Sequence, residues 1–377
     1  MFRLTNDFNV SLKNKSFENA SYAILLVIVL STILLKRDII QSYIFIFCFS
    51  IGIVLLLVDA RLRYSLKTYA LIAILFFIFS IPILQQNQYT IGNWLVLVLS
   101  MVFYSQVTNN IYHNPLKARS FFSILLLLYS LWIFWNFSVY SNFDWAFFVK
   151  YSNRITEAGS RNILGYFLTS LYLIYVYLSY VCNKKTSTTL SLLCIFCAFI
   201  LFGRSTIITV AIVFLFDKIL FDLLKSRLKI VLLFALFIVI LGFSFELINW
   251  LTNNTNFSEG VDSPRNQIVS EYLSEMTLQH LLLGSDPCQY PIIYMHSCNP
   301  HNSYLLLNIN FGFLGLIIIA LLSILSILLF KHSRKEALIY IAFLFRIYFE
   351  PVFFTGWFSD IIIYMVIFRV FKFKRCY

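Results

Sequence analysis

The chain has 377 residues, of which 60% are apolar and 19% aromatic, while 12% carry a charge and the net charge is +12. Soluble domains average roughly half apolar and a quarter charged residues, so a soluble enzyme and a disordered protein are both excluded. The basic residues stand as pairs and triplets between apolar blocks rather than as one patch, which argues against nucleic acid as a partner.

The apolar residues come in blocks of about 16–25, long enough to cross a hydrocarbon core of ~30 Å as helices. Membrane β-barrel strands would instead alternate apolar and polar positions. The expected fold class is therefore an all-α polytopic membrane protein, with the whole chain 1–377 forming a single integral membrane domain. A polar lead precedes Ala20, and no small-residue cleavage site follows the first apolar block, which reads as a retained anchor. In chain order the spans are placed at 20–35, 39–58, 66–84, 91–107, 121–139, 163–181, 188–202, 206–222, 230–248, 303–330, 337–353 and 357–371. Twelve spans put both termini on one side. With that side cytoplasmic, the inner segments hold 21 of the 29 Lys and Arg residues, as the positive-inside rule requires. Lys36 and Arg37 violate the rule, so the first two spans are the weakest part of the topology.

Eight basic residues fall on the outer side: Lys36, Arg37, Lys150, Arg154, Arg161, Arg204, Arg265 and Arg346. Six of the eight are arginine, whose rigid fork of donors suits phosphate. Two outer loops, 140–162 and 249–302, are much longer than the other connections, and loops of that length in a compact protein are usually functional.

Three even-numbered spans open at the outer side with polar residues: Arg161-Asn162, Gly203-Arg204-Ser205-Thr206 and His301-Asn302-Ser303. A helix N-terminus offers free N–H groups and the positive dipole end, both favourable to phosphate. Arg204 fits an anion site, and equally an arginine that snorkels to the interface. Were the tenth span a straight helix from His301, Asn308, Gly312 and Gly315 would share its face, turning that face toward protein. His301 then serves either as a general base or as a structural histidine bonded to a loop carbonyl.

Within the larger loop, Ser263-Pro264 marks a helix start. The helix after it carries Ile268, Val269, Tyr272, Leu273 and Met276 on one face, with Arg265 and His280 on that side and Gln267, Glu271 and Glu275 away from it. Such a helix lies along the membrane surface with Arg265 at a lipid head group, or packs on the bundle with Arg265 in a salt bridge. Cys288 and Cys298 share this loop, and their short separation on an oxidising side points to a disulfide just before His301. Cys194 and Cys197, by contrast, sit on a span without His or carboxylate company and read as packing. The sequence shows no metal-ligand cluster, nucleotide-binding glycine loop or serine-hydrolase elbow, and no cofactor is implied.

The set Arg154-Ile-Thr-Glu-Ala-Gly-Ser-Arg161-Asn162-Ile-Leu-Gly165, Gly203-Arg204-Ser205-Thr206, Arg265 and His301-Asn302-Ser303-Tyr304-Leu305 with Gly312 and Gly315 resembles bacterial O-antigen polymerases and ligases. The resemblance covers about residues 150–320. It implies a GT-C-like, metal-independent, inverting glycosyltransferase in the inner membrane, acting on undecaprenyl-diphosphate-linked oligosaccharide, with a chain-length regulator as a possible partner. Arg204 and Arg265 would bind the diphosphate, helped by Arg154 or Arg161. His301 would activate or orient the attacking hydroxyl, with Asn302 and Asn162 in support. A polymerase is favoured over a ligase by the His-Asn-Ser-Tyr-Leu form. Two matched outer loops with a shared arginine-to-glycine spacing, present in some polymerases, do not align here. A flippase, the reading from another class, would carry charges within its spans, and Arg346 is the main residue of that kind.

Overall fold

A computed structural model of the chain describes residues 19–33, 39–58, 91–141, 161–201, 203–220, 264–296, 298–352 and 356–372. The expected spans 66–84 and 230–248, the pair Lys36–Arg37, Arg154, Ser263 and most of loop 140–162 lie outside the described residues. Among those residues the architecture is all-helical, with no strand.

The early part holds α1 (Asn19–Ile33), α2 (Ile39–Val58), α3 (Ile91–His113) and α4 (Pro115–Ser141). Next come α5 (Arg161–Val181), α6 (Thr188–Leu201) and α7 (Arg204–Leu215), the last continued by a π-helical turn over Phe216–Leu220. Three short helices of the larger loop follow, α8 (Pro264–Glu275), α9 (Leu278–Leu283) and α10 (Pro291–Met295). The chain ends in α11 (Ser303–Phe311), α12 (Phe313–His332), α13 (Arg334–Ile347) and α14 (Ile361–Lys372).

Among the described residues three segments, Pro115–Val139, Arg161–Val181 and Phe313–His332, are long and apolar enough to cross a membrane. Their burial differs in a way that orders the bundle. α5 is the central helix, with 89% of its apolar window buried, whereas α12 buries 22% and leaves Phe313, Leu321, Ile327 and Phe330 exposed. An exposed apolar face of that size is suited to lipid and costly in water. Gly165 lets α7 close on α5, because a Cβ there would collide with the Thr206 side chain. Small residues at helix crossings serve this purpose in membranes.

The segment expected as a tenth span departs from expectation. It is not one straight helix from His301: the chain breaks at Gly312, where φ is +54°. The α12 N-terminus turns back on α11, and a Cβ on Gly315 would strike the Leu307 carbonyl. Asn308, expected on an inward column, instead secures the break. Its Nδ2 donates to the Gly312 carbonyl at 2.9 Å, while its Oδ1 accepts from the Tyr272 hydroxyl at 2.7 Å. The inward placement of Asn308 holds; the continuous column does not.

The two ends of the bundle differ in chemistry. Among the described residues, basic side chains between helices gather at one end with few acids. Arg119 donates to the Ser179 hydroxyl and the Lys185 carbonyl, each at 2.9 Å, and Lys335 lies 5.5 Å from the centre of the Tyr180 ring. Arg369 grips the buried carboxylate of Glu336 with two bonds of 2.9 and 3.0 Å. The N-termini of α5, α7 and α11 meet at the other end, and there the polar side chains converge.

Candidate functional site

The helices deliver the polar residues to this end one by one. α5 opens at Arg161 and Asn162, and α7 opens at Arg204, with Gly203 in extended backbone before it (φ −85°, ψ 108°) and no side-chain cap. The first N–H groups of α7 are therefore not taken by a capping side chain, as an anion site at a helix start requires. α11 is different. Asn302 caps it, accepting from the N–H groups of Tyr304 (2.9 Å) and Leu305 (3.2 Å). Of the three helix starts expected to face an anion, this one already spends donors on its own chain.

Arg265, on the first turn of α8, donates through Nη2 to Glu350 Oε1 at 3.3 Å and lies 5.8 Å from the centre of the Phe349 ring. Of the two alternatives for its helix, packing on the bundle is what the structure shows. Ile268 and Tyr272 are buried against Tyr290, Ile293, Leu305 and Ile309. The expected apolar face is also shorter than proposed: α8 stops at Glu275, Thr277 caps a separate α9 carrying His280, and Leu273 stays exposed. Glu271 turns inward rather than away, accepting from the Ile292 N–H at 2.8 Å.

The expected disulfide is present. Cys288 and Cys298 are bonded, with Cα atoms 4.7 Å apart, three residues before His301. Both Cys298 (φ 58°) and His301 (φ 50°) adopt left-handed backbone, costly for residues other than glycine. The His301 N–H is held by Asn299 Oδ1 at 2.8 Å, and its ring meets that of His296 edge-on at 5.4 Å. Among the described residues the imidazole makes no hydrogen bond, so the loop-carbonyl role is not observed. Burial, then the Arg265 guanidinium, then His296 push its pKa down to about 4. At neutral pH His301 is an uncharged imidazole with a free lone pair.

Sequence reasoning did not assign Arg346 or Glu350 to the site. Arg346, on the last turn of α13, is fully buried. Its Nη2 donates to the Asn162 carbonyl at 3.0 Å and reaches the Thr206 hydroxyl at 3.5 Å, so one guanidinium ties the starts of α5 and α7 together. The Tyr166 ring centre lies 5.4 Å from it. Glu350 Oε1 stands 3.9 Å from Arg346 Nη1, and the same oxygen receives Arg265. Ser303, at the start of α11, donates to the Glu350 carbonyl and accepts from Val352 N–H at 3.1 Å. A continuous path thus runs from Asn162 and Thr206 through Arg346, Glu350 and Arg265, and through Ser303 to Asn302 and His301. The signal was present in the sequence: two opposite charges four residues apart inside an apolar run, which in a span marks a functional site by default.

Arg161 and Arg204 flank this path by their positions at the starts of α5 and α7. Both residues are half-buried and take part in interactions of their own. Cys194 and Cys197 are buried on α6, where Cys197 Sγ donates to the Ser130 carbonyl at 3.3 Å, which is packing. No group of three or more potential metal ligands occurs among the described residues.

No protein-family model matches the chain, and no curated protein or solved structure matches it either.

Proposed function

We propose that this chain is a metal-independent inverting glycosyltransferase that joins undecaprenyl-diphosphate-linked repeat units at the periplasmic face of a bacterial inner membrane, an O-antigen polymerase in type. On this reading twelve spans place both termini and the lysine-rich end in the cytoplasm, and the Arg346–Glu350 end at the outer boundary.

The observation that carries the reading is the convergence of Arg265, His301, the α5 and α7 starts and a buried guanidinium at one end of the bundle. Departure of a lipid diphosphate develops negative charge on its phosphates, where prearranged cations and helix N-termini lower the barrier most. Arg204 and Arg265 bind the diphosphate, with Arg161 or Arg154 assisting. His301, neutral at physiological pH, accepts the proton of the attacking sugar hydroxyl and becomes a better base when the anionic donor sits beside it. Asn302 fixes the α11 start and so holds the residue before it; Asn162 anchors Arg346.

The test is the lipopolysaccharide profile of a strain lacking the gene. A single repeat unit on core is the outcome for a polymerase. Unattached polymer would assign the ligase reaction to this site instead, and complete loss of surface glycan would assign a flippase.

A further inference from the structure

The proposed diphosphate site contains a group of the wrong sign. Glu350 is a carboxylate, and it stands between the two guanidinia that an anionic ligand would need. Its Oε1 is shared by Arg265 Nη2 at 3.3 Å and Arg346 Nη1 at 3.9 Å. Both separations are long for charge-assisted hydrogen bonds, which close to roughly 2.7–2.9 Å when geometry allows. Arg346 is meanwhile fully buried, and among the described residues its Nε and Nη1 have no hydrogen-bond partner. Buried donors of a charged group are costly to leave unmade. The third nitrogen of the same guanidinium, Nη2, reaches Thr206 in the first turn of α7, where Gly203 provides no cap.

We propose that Glu350 is an internal counter-anion: its carboxylate holds Arg265 and Arg346 together before ligand binds, and an incoming phosphate oxygen takes both guanidinia from it. The physical need is plain. Two guanidinia facing one another without an anion repel in a poorly solvated place, and removing the neutralising partner of a buried charge is severely destabilising. A carboxylate built into the chain relieves this without filling every donor. The unmatched Nε and Nη1 of Arg346 are then the donors available to a phosphate. Arg265 is the movable partner, since its side chain retains 32% exposure against 1% for Arg346. This proposal rests on the reading of the site as a diphosphate site, and assigns Arg346 to it as an inner binding group.

The sign of one substitution separates this role from a merely structural one. Wild type and Glu350→Gln are purified in detergent, and binding of inorganic pyrophosphate and of undecaprenyl diphosphate is measured by titration. Glu350→Gln removes the competitor and keeps the shape, so affinity rises about ten-fold, the low end of what one hydrogen bond to a charged group is worth. Arg346→Lys, which keeps the charge and loses the fork, weakens both probes about ten-fold. Should the Gln variant not yield folded protein, Glu350→Asp withdraws the carboxylate by one methylene, and binding tightens about three-fold, the smaller share expected when a charged contact is stretched rather than lost. Tightening for the lipid alone marks a head-group site, and tightening for both marks a site for phosphate from either source. Equal or weaker binding in the Glu350 variants, or unchanged binding in Arg346→Lys, overturns the counter-anion while leaving the transferase reading intact. A wild type that binds neither probe sinks the diphosphate site itself.

Discussion

Removal of the Cys288–Cys298 bond is the perturbation whose size follows most directly from the fold. The bond closes a loop of sequence separation 10, for which the chain-entropy relation gives about 2.7 kcal/mol at 25 °C. Against it stand two left-handed residues, Cys298 and His301, at roughly 1–3 kcal/mol each. The two quantities are comparable, so the bond decides whether the segment before α11 keeps its shape. Its loss shifts the ordered-to-disordered ratio of that segment by about 100-fold, since each 1.36 kcal/mol is a factor of ten. In Cys288→Ser/Cys298→Ser, hydrogen exchange of the Cys298 amide position, held by the Ile293 carbonyl at 3.0 Å, and of the His301 amide, held at 2.8 Å, accelerates accordingly. Protection over α11 and α12 stays as in the wild type, and long-chain glycan falls with the loop. Unchanged exchange at positions 298–301 would refute the argument that the bond offsets backbone strain there.

Other predictions concern the site and the break above it. His301 has a folded pKa near 4, below the ordinary ~6.5 of an unfolded histidine. The unfolded chain therefore binds more protons between those values, so this group's contribution to stability is complete above ~6.5 and is lost as pH falls toward 4. The acid limb of kcat/KM, which reports free enzyme, lies near 4, and that of kcat lies higher because the bound diphosphate favours the imidazolium; coincident limbs at ~6.5 would count against the assignment. His301→Ala and Arg204→Ala abolish long-chain glycan while membrane insertion persists, and normal ladders on a gel would remove both residues from the chemistry. Arg265→Lys lowers transfer about ten-fold or more, because an ammonium cannot reproduce the planar fork that a phosphate engages; wild-type rates would leave only a generic charge. Gly312→Ala, which places a Cβ against the Leu282 carbonyl at φ +54°, costs more than ~1 kcal/mol, readable as a lowered Tm with no change if the break is dispensable.

Much of the helix placement was legible because local signals set it. The spans placed at 39–58, 163–181 and 188–202 lie within two residues of α2, α5 and α6 at both ends. Pro264 starts α8 as a proline in the first turn should. The disulfide was legible because two cysteines shared one short loop segment. What escaped was set by residues far apart in the chain. The break at Gly312 depends on Tyr272 reaching Asn308 and on the Leu282–Gly284 segment packed against it, and a glycine in an apolar run does not announce this. Arg346 carried a signal of its own, yet its partners Asn162 and Thr206 lie 184 and 140 positions away. Only the closing of α5 and α7 around Gly165 turns an apparent stray charge into the centre of the site.

Reconstitution tests the central claim most directly. The purified chain in nanodiscs is given undecaprenyl-diphosphate-linked repeat units alone, and products are followed by mass spectrometry. The account predicts glycans of two or more units on one lipid, release of one undecaprenyl diphosphate per bond formed, and loss of both with His301→Ala. Repeat units that remain single, with no diphosphate lipid released by a folded protein that retains its disulfide, would contradict it.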